Sequence, residues 1–141
     1  MVAAIVGSRN LEHKISEELI GTDFTQIISG GAEGIDRLAR KYAEQHNIEF
    51  LEILPQYDLY GKIAPLKRND TIISLSDIVF VFWDGKSRGS QYVIKSCLET
   101  GKPMKLFKFE NDCYTLVEEV PYLSEFPDFE FRKFVPTIIY E

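Results

Sequence analysis

A chain of 141 residues, of which 45% are hydrophobic, is long enough to form one domain with a buried core. Its two cysteines and two histidines are widely spaced and no apolar run reaches the length of a membrane span or a signal peptide, so we expect a cytoplasmic protein with no metal, no cofactor and no membrane partner. The net charge of −6 lies entirely in residues 110–141, with 8 acidic and 2 basic side chains against 14 of each in residues 1–109, so we expect no broad nucleic-acid binding.

The first predicted unit is a strand, a loop and a helix. Residues 2–6 are a continuous apolar run, as expected of a strand that is buried on both faces of a parallel sheet. Residues 7–9 follow as a loop, and Asn10 is placed to cap a helix with apolar residues at positions 11, 15 and 19. Gly21 is predicted to end that helix.

A second strand over residues 24–28 is predicted to lead into a glycine turn at residues 29–34 and then into a helix that reaches Gln45. Apolar side chains at i, i+3, i+4, i+7 and i+8 from Ile35 indicate the helix. Gly30 and Gly31 lack a Cβ atom, so we expect positive φ there and a close approach of the backbone to a bound group. Free N–H groups at the helix start attract phosphate, and the alternative is a tight turn that binds nothing.

The same alternation continues through residue 109. The predicted elements are, in order, a strand at 49–54, a loop at 56–62 that holds Tyr57 and Tyr60, a weaker helix at 64–74, a central strand at 78–83, a glycine-rich loop at 84–90, a helix that ends at Gly101, and a strand at 104–109. The central strand is the clearest of these, because its six apolar residues are rich in β-branched and aromatic types.

Strands that alternate with helices predict a doubly wound α/β fold, with a parallel sheet of about five strands and helices on both faces. In such sheets ligands bind outside the carboxyl ends of the strands. The loops at residues 7–9, 29–31 and 84–90 each follow a strand directly, so we expect them to meet and to hold a phosphate-bearing ligand. A Walker A motif is excluded because Phe80 stands at its first glycine, and the sequence contains no GxGxxG.

Four segments in order resemble the YspA-like branch of the SLOG superfamily, whose relatives include the DprA and LOG proteins. They are AIVGSRN, ISGGAEGIDRLARKYA, YGKIAPLKRND and FWDGKSRGS, the last followed by ETGKPM. The resemblance covers residues 2–109 and implies a Rossmann-like domain that binds a nucleotide or a nucleotide derivative, of ADP-ribose or nucleoside-phosphate type, as a binding or sensing module. It also implies that Arg68, in the pair Arg68-Asn69, faces the ligand.

The same resemblance implies two alternative functions. The LOG enzymes are phosphoribohydrolases that remove the base from a nucleoside monophosphate, and their motif PGGxGTxxE ends in a catalytic glutamate. Aligning Gly89-Ser90 with GT places Val93 at that glutamate, so whether this chain is an enzyme stays open and no catalytic residue is assigned. The DprA proteins bind single-stranded DNA, which the charge of this chain disfavours.

Fifteen residues are candidate ligand contacts, and several also have a structural interpretation. Asp36 either caps its helix or accepts a hydrogen bond from a ligand hydroxyl, and Asp84 either forms an Asx turn or accepts from ribose and acts as a general base. Ser90 is expected to cap its helix and to touch phosphate, while Tyr57 and Tyr60 either belong to the core or stack on a base. The candidates are Gly7, Ser8, Arg9, Ser29, Gly30, Gly31, Ala32, Asp36, Arg68, Asn69, Asp84, Gly85, Ser87, Gly89 and Ser90.

Residues 110–141 form an acidic extension that fits no motif. The extension holds too many aromatic and aliphatic side chains for a disordered tail, and the alternation at residues 129–132 indicates an extended chain. We expect it to pack over an edge of the sheet, as a roof on the ligand site, or as a contact in a homo-oligomer.

Overall fold

The computed structural model of the protein describes residues 1–121, and these form a three-layer α/β structure. The strands are β1 (Val2–Gly7), β2 (Gln26–Ser29), β3 (Glu49–Glu52), β4 (Ile78–Trp83), β5 (Met104–Glu110) and β6 (Cys113–Val120). The helices are α1 (Glu17–Ile20), α2 (Ile35–Gln45), α3 (Tyr57–Tyr60), α4 (Ala64–Leu75) and α5 (Arg88–Thr100), and a 3₁₀ turn (Gly61–Ile63) joins α3 to α4. The described part of the chain thus confirms the predicted Rossmann-like α/β fold.

Within residues 1–121 the sheet has the strand order β3-β2-β1-β4-β5-β6. The first five strands in that order are parallel, and β6 pairs antiparallel with β5. The chain therefore builds outward from β1 to β3, then crosses back to place β4 on the other side of β1. This point of reversal is where ligands bind in open α/β sheets.

The sheet is apolar on both faces, because alternate residues of each buried strand point to opposite sides. Ala3 and Ile5 of β1 belong to a core cluster under α1 and α2. Ala4 and Val6 belong to a second cluster, under α4 and α5. The continuous apolar runs of β1 and β4 follow from this double burial.

The helix predicted from Asn10 to Gly21 is wrong over most of its length. Only the last turn, α1, is helical, and Gly21 ends it with a φ of +81°. Asn10 caps no helix, because α1 begins only at Glu17 with Ser16 as its N-cap. Leu11 and Ile15 are still buried, so the apolar spacing reflects packing of an irregular segment on the sheet.

The start of the acidic extension covers the β5 edge of the sheet. Asn111 and Asp112 connect β5 to β6 with φ values of 52° and 62°, and two positive φ values are typical of a two-residue type I′ hairpin loop. Three positions were predicted for the extension, and residues 113–120 take one of them by pairing with the edge strand β5. The alternation predicted at residues 129–132 lies outside the described residues.

Candidate functional site

A cleft of about 450 Å³, the main cleft, opens at the carboxyl ends of β1 and β4. Its walls come from the loop after β1, the N-terminal half of α4 and the first turns of α5. The residues that line it are Val6, Gly7, Arg9, Asn10, Ala32, Asp36, Lys62, Pro65, Leu66, Arg68, Asn69, Ser87, Gly89, Ser90 and Val93. The main cleft therefore lies at the reversal of strand order, which is the edge of the sheet where we predicted a ligand to bind.

Gly7 and Ser8 hold the ends of β1 and β4 together. A Cβ atom on Gly7 would collide with the backbone carbonyl oxygen of Phe82, so only glycine lets the two strands come this close. The Ser8 N–H donates to that same carbonyl at 3.0 Å, and the Ser8 Oγ accepts from the Asp84 N–H at 3.0 Å. Ser8 is completely buried and does not line the main cleft. Its role in this arrangement is to fix the backbone beneath the cleft.

The glycine turn after β2 places Asp36 at the second position of α2. The Asp36 Oδ2 accepts the Ala32 N–H at 3.2 Å, and its Oδ1 lies 3.0 Å from the Ser29 Oγ. The Ser29 hydroxyl also lies 2.5 Å from the carbonyl oxygen of Ile5. One hydroxyl has one proton, so Ser29 donates at any moment either to the Ile5 carbonyl or to the Asp36 carboxyl.

Burial raises the pKa of the Asp36 carboxyl above its ordinary 3.8, and it outweighs the hydrogen bonds from Ser29 and Ala32 and the attraction of the Arg68 and Arg9 charges. The prediction that Asp36 caps α2 is wrong, because the N-cap Gly34 leaves this helix without a side-chain cap and Asp36 instead binds the Ala32 N–H in the turn before it. Asp36 also lines the main cleft, as its ligand-binding interpretation requires.

Positive φ at Gly30 and Gly31 was a wrong prediction; in this turn it occurs at Gly34, with φ +73°, directly before α2. Glycine is required at position 30 for a different reason, because a side chain there would collide with its neighbours. A Cβ atom there would lie 2.5 Å from Nη1 of Arg68 and 2.7 Å from Oδ2 of Asp36. The missing side chain leaves room for the two charged groups to approach the turn.

Arg68 is the most informative side chain of the main cleft. It projects from α4, is only 8% exposed, and donates from Nε to the Asn69 Oδ1 at 2.8 Å. Among the residues described, no carboxylate forms an ion pair with its guanidinium. Burial and the nearby Arg9 charge lower the pKa of Arg68, while Asp36 has the opposite effect. A buried guanidinium without an ion-pair partner favours an anion in the cleft.

The charged side chains that line the main cleft are mostly basic. They comprise the cations Arg9, Lys62 and Arg68 and the carboxylate Asp36. The cleft is therefore electropositive in a chain whose net charge is −6. This local excess of positive charge is not visible in the overall composition of the chain.

The loop after β4 is organised by Asp84. Its Oδ1 accepts the N–H groups of Lys86 and Ser87, each at 2.8 Å, which is the Asx arrangement. Burial raises the pKa of the Asp84 carboxyl, but the hydrogen bonds from Ser87 and Lys86 outweigh it and leave the pKa below the ordinary value. Of the two interpretations of Asp84, the contacts of its side chain are those of the Asx turn.

Helix α5 is capped by Ser87, whose Oγ accepts the Ser90 N–H at 3.4 Å. The prediction that Ser90 caps this helix is therefore wrong by three residues, because Asp84 orders the loop and lets the helix begin at Arg88. Ser90 is instead buried in the first turn, where it lines the main cleft together with Ser87 and Gly89.

A smaller cavity of about 260 Å³, the side lobe, lies beside the main cleft. Tyr57 lines it and is 55% exposed, and Tyr60 in the same helix is 41% exposed. The alternative that these tyrosines belong to the core is wrong, because α3 is a single exposed turn with no buried residue.

The predicted candidates divide into three groups by position. Nine line the main cleft, namely Gly7, Arg9, Ala32, Asp36, Arg68, Asn69, Ser87, Gly89 and Ser90, and Gly31 lines the side lobe. The remaining five, Ser8, Ser29, Gly30, Asp84 and Gly85, lie in the turns that shape the walls. Lys62 was not predicted, since a lysine in an aromatic loop has no sequence signal that separates it from other surface charges.

In comparisons with known proteins, no family model, curated sequence or solved structure matches the chain. The similarity of its motifs to the SLOG superfamily therefore stays a prediction. In residues 1–121, no helix is long and apolar enough to cross a membrane, and no group of three or more His, Cys, Asp or Glu side chains is arranged to hold a metal ion.

Proposed function

We propose that the protein is a binding or sensing module for a phosphate-bearing, nucleotide-type ligand held in the main cleft. The observation that carries this proposal is Arg68, a buried guanidinium that lines the cleft without an ion-pair partner among the described residues. Burying a charge is costly unless an opposite charge meets it, and a phosphate accepts two parallel hydrogen bonds from a guanidinium.

The surroundings of Arg68 support the same ligand class. Arg9 and Lys62 add two further positive charges, and the open space beside Gly89 leaves room for an anion to approach. The volume of about 450 Å³ is within the range of small-molecule sites and accommodates a nucleoside with its phosphate.

A second candidate function is hydrolysis of an N-glycosidic bond in a nucleotide. Asp36 favours it, because a buried carboxyl with a raised pKa in a cleft has the properties of a general acid. Val93 opposes it, since this buried side chain lines the cleft at the position where the LOG pattern places its catalytic glutamate. Binding without turnover is therefore the leading proposal.

Calorimetric titration with AMP and ADP tests the proposal. Arg68→Ala is expected to weaken binding by about 1.5–3 kcal/mol, or roughly ten- to 150-fold in Kd. The matched control is Lys95→Ala, which removes the same charge from the exposed face of α5, where Lys95 pairs with Glu99 at 3.7 Å. Thermal melts of each variant separate lost binding from lost folding.

The titration also gives outcomes that contradict the proposal. Failure of the parent protein to bind either nucleotide at millimolar concentration would overturn it, as would Arg68→Ala binding as tightly as the parent. Chromatography of the same mixtures for released base separates the two candidate functions. Base released by the parent but not by Asp36→Asn would favour the hydrolase over the binding module.

A further inference from the structure

One stretch of the chain leaves many large apolar side chains in contact with solvent. Ten large hydrophobic residues are exposed in residues 1–121, and six of them belong to the short stretch 51–63. The six are Leu51, Leu54, Tyr57, Leu59, Tyr60 and Ile63, and we call them the apolar patch. Single exposed apolar residues are ordinary on a protein surface, but a cluster of this kind marks a surface to which something binds.

The apolar patch arises because one face of the edge strand β3 has no helix over it. Phe50 packs on the core cluster under α1 and α2, whereas Ile53 packs on the cluster under α4 and α5. Leu51 is two residues before Ile53, so it points to the same face as Ile53. Helix α2 packs on the other face of β3, and in the described residues no helix packs as extensively on the face of Leu51. The chain then continues into α3, where every residue is exposed.

The apolar patch is large enough to form an interface between two copies of the chain. Its residues are 36% to 68% exposed, and at about 200 Å² for a fully exposed residue of this size they present roughly 600 Å². Complete burial of two such patches against each other would remove roughly 1,200 Å² from water, which is the lower bound for stable protein interfaces. Polar residues at the rim of the contact would add to this area.

The charges around the apolar patch favour a second copy over a strongly charged partner. Residues 51–67 hold two acidic side chains, Glu52 and Asp58, and two basic ones, Lys62 and Lys67, so their net charge is zero. Two chains with a net charge of −6 each repel one another least when such a neutral surface is in contact. Because both signs are present, a twofold axis can set the carboxylates of one copy against the lysines of the other.

The acidic extension leaves the described part of the chain far from the apolar patch. Strand β6 ends at Val120, which pairs with Met104, the first residue of β5. That point is at the amino ends of the parallel strands, whereas the patch follows the carboxyl end of β3, at the opposite edge of the six-stranded sheet. Five strand spacings of about 4.8 Å place the two edges roughly 24 Å apart. A second copy reaches the patch without crossing the sheet.

We infer that two copies of the chain form a twofold-symmetric dimer through the apolar patch. Leu59 is the most exposed of the six residues, and residues 55–59 line a shallow cavity of about 480 Å³. In a twofold contact the Leu59 side chain of each copy can enter this cavity on the other. None of the six residues lines the main cleft, so the inference holds whether or not a ligand binds there.

Sedimentation equilibrium of the full chain at concentrations of about 1–100 μM tests the inference. The mass of the parent should approach twice the chain mass of 16.2 kDa, with a Kd on the order of 10 μM for an interface of this size. Leu59→Glu should raise that Kd at least about a hundredfold, because dimerisation would bury a carboxylate without a partner. Ile63→Glu makes the same change at a second point of the patch and should have the same effect.

The matched control is Leu75→Glu at the end of α4, where the leucine is 51% exposed and lies outside the apolar patch. This variant should dimerise like the parent, and circular dichroism confirms that all three variants are folded. A parent that is monomeric at every concentration overturns the inference and leaves residues 122–141 or another protein as the occupant of the patch. Dimerisation of both patch variants with the Kd of the parent also overturns it, because the interface then lies elsewhere.

Discussion

Replacing Gly30 by alanine tests how Arg68 is positioned, without altering any charged residue. The φ of Gly30 is not in the positive region, so alanine fits the backbone there. Its Cβ would lie 2.5 Å from Nη1 of Arg68, which must retreat by roughly 0.9 Å to reach an ordinary contact of 3.4 Å. That shift strains the 2.8 Å bond from Arg68 to Asn69 and moves the guanidinium relative to a bound phosphate. We expect ligand binding to weaken by about 1.5–3 kcal/mol.

Gly31→Ala is the control for this substitution. A Cβ atom on Gly31 meets the end of the Leu54 side chain, which is 58% exposed and free to turn aside. The Cβ of Gly30→Ala would also lie 2.7 Å from Oδ2 of Asp36, so we expect this variant to be less stable than Gly31→Ala. Calorimetric titration with ADP, with thermal melts in parallel, compares the two. If Gly30→Ala binds ADP as tightly as Gly31→Ala does, the position of the guanidinium does not determine binding and the reasoning fails.

Two further predictions concern the carboxylates of the site. Because burial raises the pKa of Asp36 above 3.8, the stability that its protonated form contributes is complete below pH 3.8 and is lost as the pH rises through the raised pKa. The free energy of unfolding of the parent relative to Asp36→Asn should therefore fall as the pH rises from 4, and a flat difference in urea titrations would contradict this. Asp84→Ala should cost about 1–2 kcal/mol of stability at pH 7, because it removes the acceptor of two backbone N–H groups. That contribution is present above pH 3.8 and lost as the pH falls through the lowered pKa, so melts that match the parent at pH 7 would refute it.

The sequence predicted those elements whose pattern arises from burial in the sheet itself. β1 and β4 are covered on both faces, so their apolar runs gave their positions closely. Helix α2 packs one face on the sheet, so the spacing of its apolar side chains predicted a helix, and the helix ends at Gln45 as expected. The predicted loops after β1, β2 and β4 do adjoin the main cleft, because parallel strands bring their carboxyl ends to one edge.

Features that depend on distant partners were not predictable from local patterns. The segment after Asn10 has helical spacing but is irregular, and its His13 carbonyl accepts a hydrogen bond at 2.6 Å from the hydroxyl of Tyr114 in the distant strand β6. The sixth strand has weak alternation, since β6 is largely exposed and is defined by pairing with β5. The space at Gly30 depends on Arg68 and Asp36, and neither contact has a signature in the glycine turn alone.

The bond between Ser8 and Asp84 joins residues that are 76 positions apart. During synthesis on the ribosome, β1 and the glycine turn after β2 are complete long before β4 emerges. A nascent chain that stops short of α5 therefore contains the glycine turn but lacks a wall of the main cleft. If a ligand binds the main cleft as proposed, it stabilises the chain only after α5 has docked, so it raises the stability of the complete domain and not that of earlier folding intermediates.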